Sequence, residues 1–224
     1  MLKVQHLGSM LKVQHLGRRS LREWPDAMIP TMTDRRQIDS VSDLVLLILL
    51  ENEDRGARGL AGITRLQKLV FLLSQSPEYV RLLGSGSAPD VRFEPYRMGP
   101  FTPEIYQAID VLVDFRPNLI TADRGTRERA DDVELDRYID EVDLDRSEPA
   151  VSTDPRPTTF VLTDAGRRVA RALAKEAPQP LVDALQRVIG EYGGLSLVEL
   201  LRRVYRAYPS MTVRSEIRSQ LGLG

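Results

Sequence analysis

Apolar residues along the chain fall into a few regularly spaced runs, most of them at helical spacing. Leu44, Val45, Leu46, Leu47, Ile48, Leu49 and Leu50 are continuous. A helix that is apolar all round predicts a central buried element. Ser40 or Ser42 can cap it, and Asp43 suits the positive end of the helix dipole. A second helix is predicted from Thr64, where Thr64-Arg65-Leu66-Gln67 has the form of a capping box. Leu66, Leu69, Val70 and Leu73 give it an apolar stripe, and Pro77 marks its end or the next turn. Beyond a Gly-Ser loop at 84–89, Val91-Arg92-Phe93-Glu94-Pro95-Tyr96 alternates as a short edge strand would, Pro95 barring a central position. Met98-Gly99-Pro100-Phe101 reads as a turn. Thr102-Pro103-Glu104 then opens a helix with apolar positions Ile105, Ile109, Leu112 and Val113, stopped by Pro117.

Leu119-Ile120-Thr121 and Thr159-Phe160-Val161-Leu162 are predicted as two short strands forming a hairpin across a polar excursion. Residues 123–148 hold eleven acids against five arginines. So few apolar residues predict an exposed or disordered insertion, within which Val133, Leu135, Tyr138, Ile139, Val142 and Leu144 allow a short amphipathic helix. Thr163 caps the following helix. Leu181, Leu185, Val188, Ile189 and Tyr192 stripe another, closed by Gly193-Gly194. Ser196-Leu197-Val198-Glu199 is a capping box, with Leu195 and Leu200 as a hydrophobic staple, and predicts a helix over 197–208. A last helical segment is expected over 212–220.

This pattern predicts a mainly α fold: one winged-helix-like helical domain over 38–224, with a small β-hairpin, C-terminal helices and an acidic insertion at 123–157. Residues 1–37 stand apart. Residues 1–8 recur as 10–17, which reads as a duplicated leader rather than a structural repeat, and the tail after it has Trp24 as a packing anchor.

Composition narrows the chemistry. There is no cysteine, and the two histidines, His6 and His15, both lie in the duplicated leader. Thiolate metal sites, disulfides, thiol nucleophiles and imidazole bases are therefore excluded from the body. Asp90 and Glu94 have the look of a metal-dependent nuclease core, but Tyr96 stands where such a core needs a lysine. The chain is expected to be non-enzymatic, with no cofactor and no metal. The longest apolar run is helix-core length, and no signal-like apolar stretch opens the chain, so no membrane partner and a cytoplasmic location are expected.

Helix, helix, extended segment, helix, strand, turn, strand, helix is the order of a winged helix. Yet the candidate reading helix carries Glu104, Asp110 and Asp114 and no basic residue, which suits a major groove poorly. Two segments carry a more specific resemblance: Ile63-Thr64-Arg65-Leu66-Gln67-Lys68-Leu69-Val70-Phe71-Leu72, and Phe93-Glu94-Pro95-Tyr96-Arg97-Met98-Gly99-Pro100-Phe101-Thr102-Pro103-Glu104-Ile105-Tyr106. Together they resemble the Panacea or SocA-like antitoxin-domain group, including YwgA-like proteins. The resemblance implies a non-enzymatic prokaryotic protein that neutralises or escorts a partner protein, commonly a toxin encoded by an adjacent gene.

The residues themselves allow two readings. Lys68 can snorkel or pair with an acid, and Tyr96, Gly99 and Pro100 can simply fix the corner before the next helix. As a partner-binding set, Lys68, Tyr96, Gly99, Pro100 and Phe101 would line a groove between the Thr64 and Thr102 helices, and Asp131, Asp132 and Glu134 would meet a basic partner. The alternative is a winged-helix DNA-binding regulator. Outside 123–148 the balance is 26 basic against 21 acidic residues, and Arg167, Arg168, Arg171, Arg202, Arg203 and Arg206 could form a basic surface if the last helices pack side by side.

Overall fold

The computed structural model describes residues 38–124 and 158–223, all within the unit Thr31–Gly224. The leader with Trp24 and the insertion acids Asp131, Asp132 and Glu134 lie outside the described residues.

Seven α-helices are found among the described residues: α1 (Val41–Asp54), α2 (Ile63–Ser74), α3 (Pro77–Gly84), α4 (Glu104–Asp114), α5 (Asp164–Glu176), α6 (Gln179–Val188) and α7 (Leu197–Ala207). The strands are β1 (Leu60–Ala61), β2 (Glu94–Tyr96), β3 (Gly99–Phe101), β4 (Ile120–Arg124) and β5 (Thr158–Leu162). The fold is mainly α, as the apolar periodicity predicts.

Two helices form the centre. Every residue of α1 from Asp43 to Leu50 is buried, and every residue of α2 from Thr64 to Ser74. α1 packs against α2, α4, α5 and α6, while α2 packs against α3, α6 and α7. Burying Asp43 is tolerable because its carboxylate accepts the Ser40 amide at 3.1 Å, while the Asp43 amide donates to the Ser40 hydroxyl at 3.1 Å. Both halves of a capping box are present, so a polar pair is satisfied at the mouth of an apolar helix.

The two strands flanking the insertion pair antiparallel, with Ile120 opposite Leu162 and Ala122 opposite Phe160. β1 adds a third strand on the far edge of β5, giving the order β1-β5-β4. The sequence shows no strand pattern at Leu60 and Ala61, because two residues in a glycine-rich loop carry no periodicity. Thr163 closes the corner into α5: its hydroxyl accepts the Gly166 amide at 3.0 Å and donates to the Asn118 carbonyl at 2.7 Å.

Three expectations need correction. α2 starts at Ile63 with Gly62 as its cap residue, and Thr64 is buried inside it, so Thr64-Gln67 is not a capping box. Gln67 is committed elsewhere, as described below. Residues 99–101 are a strand rather than part of a turn, because Gly99 and Pro100 sit opposite Tyr96 and Pro95 in a hairpin turning at Arg97 and Met98. No helix runs over 212–220; a short 3-10 turn, Pro209–Thr212, is followed by irregular chain that folds back onto Arg97. The sequence also gives α3 only as a turn. Ser76 caps it and Pro77 begins it.

Glu78 of α3 holds Arg187 of α6 through both carboxylate oxygens, one bond measuring 2.9 Å. That guanidinium lowers the Glu78 pKa from 4.5 to about 2, with a backbone hydrogen bond assisting. A depressed carboxylate pKa stabilises the fold fully above the unfolded value and ceases to do so as the folded group protonates. Between pH 4.5 and 2 the wild type should therefore lose stability faster than Glu78→Gln. Chemical-denaturation midpoints across that window should converge near pH 2, and parallel curves would contradict the assignment.

Candidate partner-binding site

α2 supplies the floor of the site with two adjacent polar side chains. Gln67, 3 % exposed, lies among apolar neighbours and has to find partners at a distance. Its amide donates to the Thr102 carbonyl at 2.7 Å and its carbonyl accepts the Thr102 amide at 3.1 Å. A side chain thus mimics a strand partner for one residue of backbone, just where β3 passes into α4. Lys68, 2 % exposed, donates its ammonium to the Pro100 carbonyl at 2.8 Å. Pro100 stands opposite Pro95, and neither proline carries an amide hydrogen, so no ladder bond joins this pair and the Pro100 carbonyl is left for Lys68. Three hydrogen bonds from one turn of α2 therefore fix the β3 backbone over Pro100 and Thr102.

The far side of the hairpin is held by the C-terminal segment. Gly99 has φ +83°, and a Cβ placed there would come within 2.9 Å of the Tyr205 ring. Only glycine lets β3 approach α7 this closely. The Tyr205 hydroxyl lies 2.7 Å from the Ser215 hydroxyl, and burial pushes its pKa up to about 12. Arg97 pairs with Glu216 at 3.1 Å, and the Glu216 amide donates to the Arg97 carbonyl at 2.9 Å.

On this support stand three aromatic rings in a row. Tyr96 and Phe101 have centroids 4.9 Å apart, and Tyr106, from the first turn of α4, follows at 6.0 Å from Phe101. Tyr96 and Phe101 are half-buried and Tyr106 is exposed. The geometry divides the residues singled out from sequence. Lys68, Gly99 and Pro100 are buried beneath the surface and act as supports rather than contacts, because each is engaged by the backbone or ring that packs on it. Lys68 does not snorkel to water: it is buried, and one of its acceptors is the Pro100 carbonyl. Tyr96 and Phe101 reach the surface. Gln67, Thr102 and Tyr205 belong to the site as well. The sequence reading assigned Gln67 to a local cap and gave the other two no role in it. Tyr106 falls outside the apolar stripe of α4, so its spacing does not mark it out.

The arginines of the alternative reading are distributed differently from what a shared basic surface requires. α5 packs on α1 and α7 on α2, rather than side by side. Arg167 is tied to Glu53 at 2.6 Å and to Asp164 at 2.8 Å. Arg202 donates to the Leu221 carbonyl at 3.0 Å, and Arg203 reaches Glu199 at 3.3 Å while lying over the Tyr192 ring. Arg168, Arg171 and Arg206 are exposed.

Among the described residues no buried side-chain nitrogen or oxygen lacks a hydrogen-bond partner. Nor does any group of three or more His, Asp or Glu side chains converge on a point there. No described helix is long and apolar enough to cross a membrane. No family model, curated protein or solved structure matches this chain.

Proposed function

We propose that this protein is a non-enzymatic, antitoxin-like interaction module that binds a partner protein and neutralises or escorts it. The observation that carries the reading is the partly exposed row of Tyr96 and Phe101 on the hairpin and Tyr106 on α4, the hairpin backbone being fixed from below by Gln67 and Lys68. Binding energy at protein interfaces concentrates in a few aromatic and arginine side chains set in rigid surroundings. A pre-ordered hairpin spares a partner the entropy of arranging those rings. The resemblance of the α2 and hairpin segments to the antitoxin-domain group points the same way, and it names a toxin from an adjacent gene as the first partner to try. The acidic stretch 123–148 is of the sign that speeds encounter with a basic protein.

The test is co-purification from the native host, followed by surface plasmon resonance on the partner. Tyr96→Ala with Phe101→Ala should raise the dissociation rate by about 30-fold or more, the scale of a lost hot spot. Neutralising Asp131, Asp132 and Glu134 should instead slow association, and the effect should shrink with added salt. A chain that retains no protein at near-physiological salt would refute the proposal.

Exposed Arg168, Arg171 and Arg206 favour DNA as a second reading. Because α5 and α7 do not pack side by side, a contact through the two α5 arginines gives a log–log salt slope of about −1.8, and so weak binding without sequence preference. Tight sequence-specific binding that survives the triple alanine variant at these positions would exclude this form of it.

A further inference from the structure

α7 and the chain after it hold more positive charge than they neutralise. Residues 197–224 contain five arginines against two glutamates. Both glutamates are engaged, Glu199 with Arg203 at 3.3 Å and Glu216 with Arg97 at 3.1 Å. Arg202, Arg206, Arg214 and Arg218 make no ion pair among the described residues. Two of these four are nevertheless held in place. Arg202, half-buried, donates its Nε to the Leu221 carbonyl at 3.0 Å, and Arg218, exposed, donates its Nε to the Leu223 carbonyl at 2.8 Å. The two acceptors stand two residues apart in one turn, which buried Ile217 and Leu221 pin to the core. Arg218 also sits near enough to Tyr205, three positions beyond Arg202 on α7, for its charge to oppose the rise that burial gives the Tyr205 pKa.

A guanidinium has N–H donors on all three nitrogens, and an anchor at Nε leaves both Nη groups to offer. Arg218 spends one of them only weakly, on the Thr212 hydroxyl at 3.4 Å. The pair is therefore oriented by backbone while its charge stays uncompensated. We propose that Arg202 and Arg218 form a binding site for a phosphomonoester dianion, with Arg206 at its rim. Arg206 is exposed and lies one helical step of four beyond Arg202. Two positive forks match a group that carries close to two negative charges and three acceptor oxygens. A carboxylate fills one fork and leaves the second charge unmet. A phosphodiester, with a single charge per group, fits no better. The Nε anchors also reduce the side-chain freedom that binding would otherwise remove. The site goes beyond the partner-binding reading and shares no residue with the aromatic row.

The test titrates the full chain with phenyl phosphate, inorganic phosphate and dimethyl phosphate by isothermal titration calorimetry at low salt. Phenyl phosphate should bind at least ~10-fold more tightly than the singly charged dimethyl phosphate, and its affinity should fall as pH drops through about 6, where the ester takes up its second proton. Tighter binding of phenyl phosphate than of inorganic phosphate assigns the site to an ester, and equal binding assigns it to the free anion. Arg202→Lys keeps the charge but loses the fork, and should weaken binding ~3- to 10-fold. Arg206→Gln removes no hydrogen bond among the described residues, so the turn stays folded, and it should weaken binding by about 2- to 5-fold. Arg81→Gln makes the same charge change on α3 and should have no effect. Undetectable binding of phenyl phosphate at millimolar concentration would overturn the proposal. So would equal affinity for dimethyl phosphate, or equal losses in Arg81→Gln and Arg202→Lys, since the anion would then answer only to overall charge.

Discussion

Gly166→Ala is expected to be the most damaging small substitution among the described residues, with a cost of about 3 kcal/mol or more. A methyl built on Gly166 would sit 1.9 Å from the carbonyl oxygen of Leu119. Backbone on both sides makes this a hard clash, because neither partner has a rotamer to change. The close approach has a reason: Thr163 bonds back to Asn118, and its amide donates to the Leu119 carbonyl at 3.0 Å, drawing the first turn of α5 onto the start of β4. Relief would require α5 to slide, breaking its packing on α1. For a domain of this size the loss corresponds to a fall in melting temperature of about 6–12 °C. Gly84→Ala is the internal control. Gly84 ends α3 with nothing within 4 Å of the added methyl, so it should be neutral or gain up to ~1 kcal/mol through reduced backbone freedom. Paired thermal melts decide the matter, and equal effects of the two variants would contradict the geometry.

Gln67→Leu should come next, costing about 2–4 kcal/mol. The volume is nearly kept, so the loss isolates hydrogen bonding. Thr102, fully buried, would be left with both its amide and its carbonyl unpaired, and each such group carries a desolvation penalty. Lys68→Met should cost less, because it leaves one carbonyl short of a donor but also removes an ammonium from the interior. The ranking is diagnostic: if Lys68→Met proved the more damaging, the hairpin would depend on the lysine bond above all. Both variants should also weaken partner binding beyond their effect on folding, since the rings of Tyr96 and Phe101 depend on a fixed β3. Binding measured well below the melting temperature, where the variants remain folded, separates the two effects.

Local chemistry was legible wherever donor and acceptor lie within one turn of each other. Ser40 with Asp43, Thr163 with Gly166 and Ser196 with Glu199 all form the predicted cap bonds. The apolar run at 44–50 announced a buried helix because no face of it was left for water. The pair of strands at 120 and 160 was legible through a different signal, two apolar segments separated by a stretch too polar to share a core. In each case the information sits in the spacing of nearby residues, and hydrophobic burial alone decides which way they face.

What the sequence could not reveal depended on partners brought close by folding. Gln67 looks like a capping residue from its neighbours, yet its amide is claimed by Thr102, thirty-five positions away. Burial forced the choice: at 3 % exposure the side chain had no water to bond, and the β3 backbone was the nearest complement. Lys68 was read by its charge, but the interior gave it a carbonyl on a residue that cannot donate. β1 and β3 exist because β5 and β2 lie alongside them, and Pro100 enters a strand opposite Pro95, at a pair that exchanges no backbone hydrogen bond. Composition by itself removed thiol and imidazole chemistry from the body of the chain. The aromatic row was decided by tertiary structure, because the hairpin sets Tyr96 beside Phe101 and the passage into α4 brings Tyr106 to Phe101, a juxtaposition that their order in the chain does not mark.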